Sequence, residues 1–201
     1  MNASPFSPEE LFHHFYPEDT PLRRLLLRHS LQVRDKALEL AAGATLPLDL
    51  SVVRDGALLH DIGVGRCHAP GILCMGEEPY LRHGLIGGEM LRGWGREHGF
   101  LDAMEPLACI CERHTGTGLT REEILRQGLP LPPRDFLPRT PEEKLVCLAD
   151  KFFSKSGDME ERSLAQVFAS LKKFGPETQA RLQEFCLLFR LPVSSLEAPR
   201  P

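Results

Sequence analysis

Residues 60–63 read His60-Asp61-Ile62-Gly63. They close a stretch opened by Asp49 as a helix cap, in which Val52, Val53, Ala57 and Leu59 recur at helical spacing and Gly63 supplies the stop. His60 follows Ala57 by three residues and Val53 by seven, so it lies on the inward face. Neighbours on a regular helix point about 100° apart and do not share a site. The last turn of a helix loosens, however, and Gly63 puts His60 and Asp61 in such a turn. A His and an Asp there suit a nitrogen and oxygen site for a first-row metal, provided that other helices bring further ligands.

Working outward, the punctuation is helical throughout. Ser7-Pro8-Glu9-Glu10 reads as a capping box opening a short helix that ends near Pro17. Thr20-Pro21 opens a second helix, with Leu22, Leu25, Leu26, Val33, Ala37 and Leu40 on one stripe and Gly43 as its stop. Residues 64–78 read as a loop, and helices follow over about 79–98 and 101–114. Thr120-Arg121-Glu122-Glu123 is another capping box, closed by Gly128. A proline-rich loop over 129–138 precedes a helix capped at Thr140-Pro141-Glu142-Glu143. Two more amphipathic helices are expected near 160–173 and 176–190, then a frayed tail over 191–201. Strict period-2 alternation is absent, so the expected fold is all-α, with about eight or nine helices.

Four histidines fall on inward stripes. His29 follows Leu25 and Leu26, His60 closes the Asp49 helix, His83 precedes Ile86 and Met90, and His114 follows Leu107, Ile110 and Cys111. Asp150 follows Val146 and Cys147 in the same way. A lone inward histidine is ordinarily a core residue or part of the polar rim of a helix, and His13, His14, His68 and His98 are read so. Burying His29, His60, Asp61, His83, His114 and Asp150 independently would be costly, because an isolated buried carboxylate needs a cation or donors. One shared site is the better account.

The 201 residues are 42% apolar and 26% charged, which fits a folded soluble domain and excludes a disordered chain, a collagen and a coiled coil. The formal net charge of −4 argues against an extended nucleic-acid partner. No apolar run approaches the ~20 residues of a membrane span. The start, MNASPFSPEE, lacks a basic segment followed by an apolar one, so a cytoplasmic location is expected, with the six cysteines reduced. Cys67, His68 and Cys74 lack a fourth ligand and the spacing of a zinc site.

His29, His60-Asp61-Ile62-Gly63 and Asp150 together resemble the H…HD…D signature of the HD-domain metal-dependent phosphohydrolases, in the HDIG form, over roughly residues 20–156. His83 and His114 look like the extra histidines of members that hold two metals. On this reading residues 1–19 carry an N-terminal helix, 20–156 the HD core, and 157–190 C-terminal helices packed on it within one domain. The resemblance implies one or two divalent transition ions, of Fe, Mn, Ni, Co or Zn. His29, His60, Asp61 and Asp150 would hold the first and His83 and His114 the second, with Asp61 bridging. It implies hydrolysis of a small, nucleotide-like phosphate ester, with Asp61, Lys151 and Arg113 catalytic and Arg66, Arg82, Thr115 and Lys155 on the substrate. Arg66 would stand where many HDIG members carry lysine, and there is no GYP tripeptide. A non-catalytic nucleotide sensor and a di-iron oxygenase are the alternatives.

Overall fold

The computed structural model describes residues 7–193, so the tail expected over 191–201 lies largely outside the described residues, as do residues 1–6. Nine α-helices are present among the described residues: α1 (Pro8–Phe15), α2 (Pro21–Ala42), α3 (Leu50–Leu59), α4 (His83–His98), α5 (Leu101–Arg113), α6 (Arg121–Gln127), α7 (Pro141–Asp150), α8 (Leu164–Leu171) and α9 (Pro176–Leu188). The helix starts follow from their caps. Thr20 Oγ1 accepts from Arg23 N–H at 3.1 Å, and Asp49 Oδ1 accepts from Ser51 and Val52 N–H at 2.9 and 3.2 Å. Thr120 closes a full capping box with Glu123. Ser7 caps α1 through Glu10 N–H alone.

Residues 64–78, expected as a loop, form with Pro79 a pair of 3-10 turns and a small sheet of β1 (Cys67–Ala69), β2 (Cys74–Met75) and β3 (Glu78–Pro79), ordered β2-β1-β3. His68 pairs antiparallel with Met75, and Cys67 pairs parallel with Glu78. Strands of two or three residues are too short to display alternation. Because Pro79 belongs to β3, the helix expected from there starts at His83, after a 3-10 turn over Tyr80–Arg82. The helix expected near 160–173 begins at Leu164, behind a Ser163–Gln166 capping box.

Apolar side chains form two principal clusters. One holds Val33, Ala37, Val53, Ala57, Ile110, Leu145, Leu148 and Leu182, and the other Phe12, Leu26, Leu59, Ile62, Leu91, Met104 and Leu107. α2, α3 and α5 each contribute to both. His29 lies between Leu26 of one cluster and Val33 of the other, and His60 follows Ala57 and Leu59 in the same manner. The inward polar residues therefore occupy the seam between two apolar bodies.

Candidate metal centre and its cavity

Close backbone packing brings the ends of α3, α4 and α5 together. A Cβ at Gly63 would run into the carbonyl oxygen of His83 and the nitrogen of Gly87, and one at Gly84 into the carbonyl oxygen of Cys111. At Gly88 it would lie 3.0 Å from Ala108 O. Glycine at these positions admits the His60-Asp61 turn against the start of α4, and α4 against α5. α3 ends at Leu59, so His60 and Asp61 do occupy the loosened turn beyond it.

All six expected ligands converge, and all are buried. Asp61 is central: its Oδ2 lies 3.2 Å from His60 Nε2 and 3.4 Å from His29 Nε2, and its Oδ1 lies 3.5 Å from the Nε2 atoms of both His83 and His114. Asp150 Oδ1 stands 3.0 Å from His29 Nε2 and 3.5 Å from His60 Nε2. Three groups have ligand atoms close enough to hold an ion: His29, His60 and Asp61; His60, His114 and Asp150; and Asp61, His83 and His114.

The second ring nitrogens decide what this arrangement can do. His60 Nδ1 faces Ala57 O, His83 Nδ1 faces Tyr80 O and His114 Nδ1 faces Cys111 O, each at 2.7 Å. A carbonyl accepts only, so each Nδ1 carries a proton, and each ring in its neutral form turns an Nε2 lone pair inward. His83 Nε2 and His114 Nε2 then face each other at 3.0 Å, lone pair to lone pair. Such a contact needs a cation or a proton between its members. Outer hydrogen bonds that fix the tautomer in this way are characteristic of metal-binding histidines. His60 Nε2 and both Asp61 oxygens are buried without a well-directed hydrogen bond.

Without an ion, protons and ammonium groups balance the carboxylates. Burial would raise Asp61, but His60 and Lys155 hold it well below the usual carboxylate range. Asp150 is likewise held low, against burial, by Lys151 and Lys155. His60 rises to about 9 because Asp61 and Asp150 outweigh its burial. Burial lowers His29 to about 4 and His83 to about 3.

Lys155 reaches in from the loop after α7, its Nζ 2.6 Å from Asp61 Oδ2. Lys151 Nζ is 2.6 Å from Asp150 Oδ2 and donates to His114 O at 2.9 Å. The other expected site residues lie elsewhere. Arg113 points away, to Glu143 at 2.8 and 2.9 Å. Arg82 pairs with Glu78 at 2.7 Å, and with the exposed Arg66 it lines a separate depression that also holds Glu77 and Glu89. Thr115 lines a small apolar cavity with Leu85 and Phe136. Arg113, the last residue of α5, adjoins His114 in sequence, and that adjacency turns it off the His114 face, while Thr115 lies past the helix end. Cys67 and Cys74 are buried, with Cys74 Sγ donating to backbone oxygens, whereas His68 is exposed.

A cavity of about 490 Å³ opens beside Asp150. Ala69, Gly71 and Ile72 form one wall, so the folded 64–79 segment serves as a side of the cavity. Tyr80, Ser154, Ser156, Arg162 and Ser170 also line it, and none of them stood out in the sequence. Tyr80 had one signal: it precedes His83 by three residues, the spacing at which its carbonyl receives the Nδ1 proton. Its ring stacks on His83 at 4.7 Å, and burial pushes its phenol up to about 12.

A helical bundle that collects four imidazoles and two carboxylates from the ends or faces of five helices defines a metal-binding class of protein. The chain belongs to the HD domain family, whose model matches residues 26–154. It is 41% identical over 128 residues to an uncharacterized protein of Methanocaldococcus jannaschii, covering 62% of this chain and 64% of that relative. It is 33% identical over 155 residues to a tRNA (cytidine(56)-2'-O)-methyltransferase of Thermoplasma volcanium, covering 77% of this chain and 38% of the relative. A protein of the same name from Picrophilus torridus is 34% identical over 130 residues, covering 65% and 32%. The chain thus spans less than two thirds of the length of each of these relatives. No solved structure matches it. No helix among the described residues is long and apolar enough to cross a membrane.

Proposed function

We propose that this chain is a metal-dependent hydrolase of a small, nucleotide-like phosphate ester. The observation that carries the reading is the inward convergence of Nε2 lone pairs on Asp61, with three of the four rings locked in that tautomer by backbone carbonyls. The donor set fits a divalent transition ion: His29, His60, Asp61 and Asp150 would hold one, and Asp61, His83 and His114 a second. Bound ions of this kind polarise a phosphoryl oxygen and lower the pKa of water toward neutrality. Asp61 contributes the charge that keeps the ligands together. Tyr80 holds the His83 ring by stacking on it and through its carbonyl, which accepts a hydrogen bond from the ring's Nδ1–H. Lys151 and Lys155 pair with the ligand carboxylates Asp150 and Asp61 and hold positive charge beside the place of the substrate phosphate. The acidic balance of the chain favours a small substrate over a polymer.

Metal analysis of protein purified without chelator, followed by a panel of phosphate monoesters and diesters, tests this. Bound transition metal with turnover that a chelator abolishes is the expected result. Tight nucleotide binding without turnover would replace it with the sensor, and substrate-dependent oxygen consumption with the oxygenase.

A further inference from the structure

The cavity contains a cation that the metal cluster does not use. Lys151 is committed to Asp150 and Lys155 to Asp61, so these two ammonium groups are already balanced by the ligand carboxylates. Arg162 also lines the cavity, and among the described residues its guanidinium has no partner. Its backbone is fixed all the same, because Arg162 N–H donates to Phe152 O at 2.8 Å and closes the base of the 153–161 loop. The same cavity carries hydroxyls. Ser154 Oγ accepts from Ser156 N–H at 3.2 Å and lies 3.0 Å from Ser156 Oγ. Whichever hydroxyl donates to the other, one hydroxyl proton of the pair remains to donate. Among the described residues Asp150 is the only carboxylate in the lining, and it faces the cluster. Ile72, Phe153 and Leu171 supply apolar wall.

We infer that Arg162, with the Ser154 and Ser156 hydroxyls, forms a second anion subsite. The substrate is then a phosphate ester with a further anionic group, held at Arg162 while the first phosphate lies at the cluster. A guanidinium is suited to this because it forms paired hydrogen bonds to phosphate or carboxylate oxygens. The inference rests on the proposed phosphate-ester reading of the cluster, and its test is built on binding so that the two can fail separately.

Metal-loaded protein is titrated calorimetrically with adenosine 3′,5′-bisphosphate and with adenosine 5′-monophosphate, and the ratio of the two dissociation constants is compared across variants. The wild type should prefer the bisphosphate by tenfold or more. Arg162→Ala should remove most of that preference and Arg162→Lys should restore part of it. Substitution here spares the Phe152 bond, which is made by the backbone. A 5′-phosphate carrying a carboxylate instead of the second phosphate distinguishes the two anion types, and preference for either supports the subsite. Equal binding of the bisphosphate and the monophosphate by the wild type, or a preference untouched by Arg162→Ala, overturns it. An Arg162-dependent preference without turnover of any ester keeps the subsite and rejects the hydrolase.

Discussion

Lys155 Nζ lies 2.6 Å from Asp61 Oδ2, in the middle of the donor set that suits a divalent ion. Its pKa is raised, against burial, by Asp61 and Asp150, so the ammonium stays charged. Lys155→Ala should therefore destabilise the metal-free protein by about 3–5 kcal/mol, the cost of stranding a buried charge. The loss should be much smaller in metal-loaded protein, where the ion supplies the missing charge. Thermal melts of both forms check this, and an equal loss in the two would contradict it.

Asp61→Asn keeps the side chain's shape but removes the charge that faces all four imidazoles. Bound metal and phosphate-ester hydrolysis should disappear together, with helix content retained by circular dichroism. Full activity of this variant in a metal-replete assay would sink the assignment of the centre.

Metal number separates the halves of the cluster. His83→Ala should lower bound metal from about two ions to about one per chain, and Asp150→Ala should disturb the other ion. Elemental analysis gives the answer. Saturation of the wild type at one ion, unchanged in His83→Ala, would make His83 and His114 substrate contacts instead.

The metal-free protein should show a stability maximum near neutral pH. His29 and His83 have folded pKa values of about 4 and about 3, below the ordinary 6.5. Between these limits the unfolded chain binds more protons, so stability falls as pH drops below about 6.5. His60, raised to about 9, acts oppositely: its contribution is complete below about 6.5 and is lost as pH climbs toward 9. Melting of chelator-treated protein from pH 4 to 9 would reveal a dome. A flat profile would show that these histidines are not buried as described.

Two glycines of α4 should respond with opposite signs to the same change. Gly93→Ala meets open space and should stabilise by about 0.5–1 kcal/mol, as in any helix interior. Gly84→Ala would push α4 off the Cys111 carbonyl, costing about 1–3 kcal/mol and displacing His83 from His114. Melting temperature together with metal content distinguishes the two.

Helices and caps were legible because each carries a local signal: Thr20, Asp49, Thr120 and Thr140 all cap where the sequence places them. The convergence of six polar groups was legible for a different reason. Five sit on inward stripes and Asp61 follows His60 in a loosened last turn, and burial without a shared partner would be prohibitive. Residues flanking those groups were misplaced. Arg113 adjoins His114, and helix geometry turns it away, whereas Thr115 lies beyond the end of α5, where no helical stripe fixes its direction. Arg66 and Arg82 were assigned by charge, but which wall of the 64–79 segment they take depends on strand pairings too short to leave a pattern. Arg162 and the serines reach the cavity through the fold of a loop, and a loop has no periodicity to read.

The seam between the two apolar clusters is also where the proposed ions would sit, so the mechanical joint and the ligand cluster coincide. α2 registers His29 between Leu26 and Val33, one on each side of that joint. Repacking either body shifts one half of the ligand set against the other. A void opened at Leu182, which belongs to one body only, would therefore emerge first as a protein that surrenders its metal to a weak chelator, before any fall in helix content.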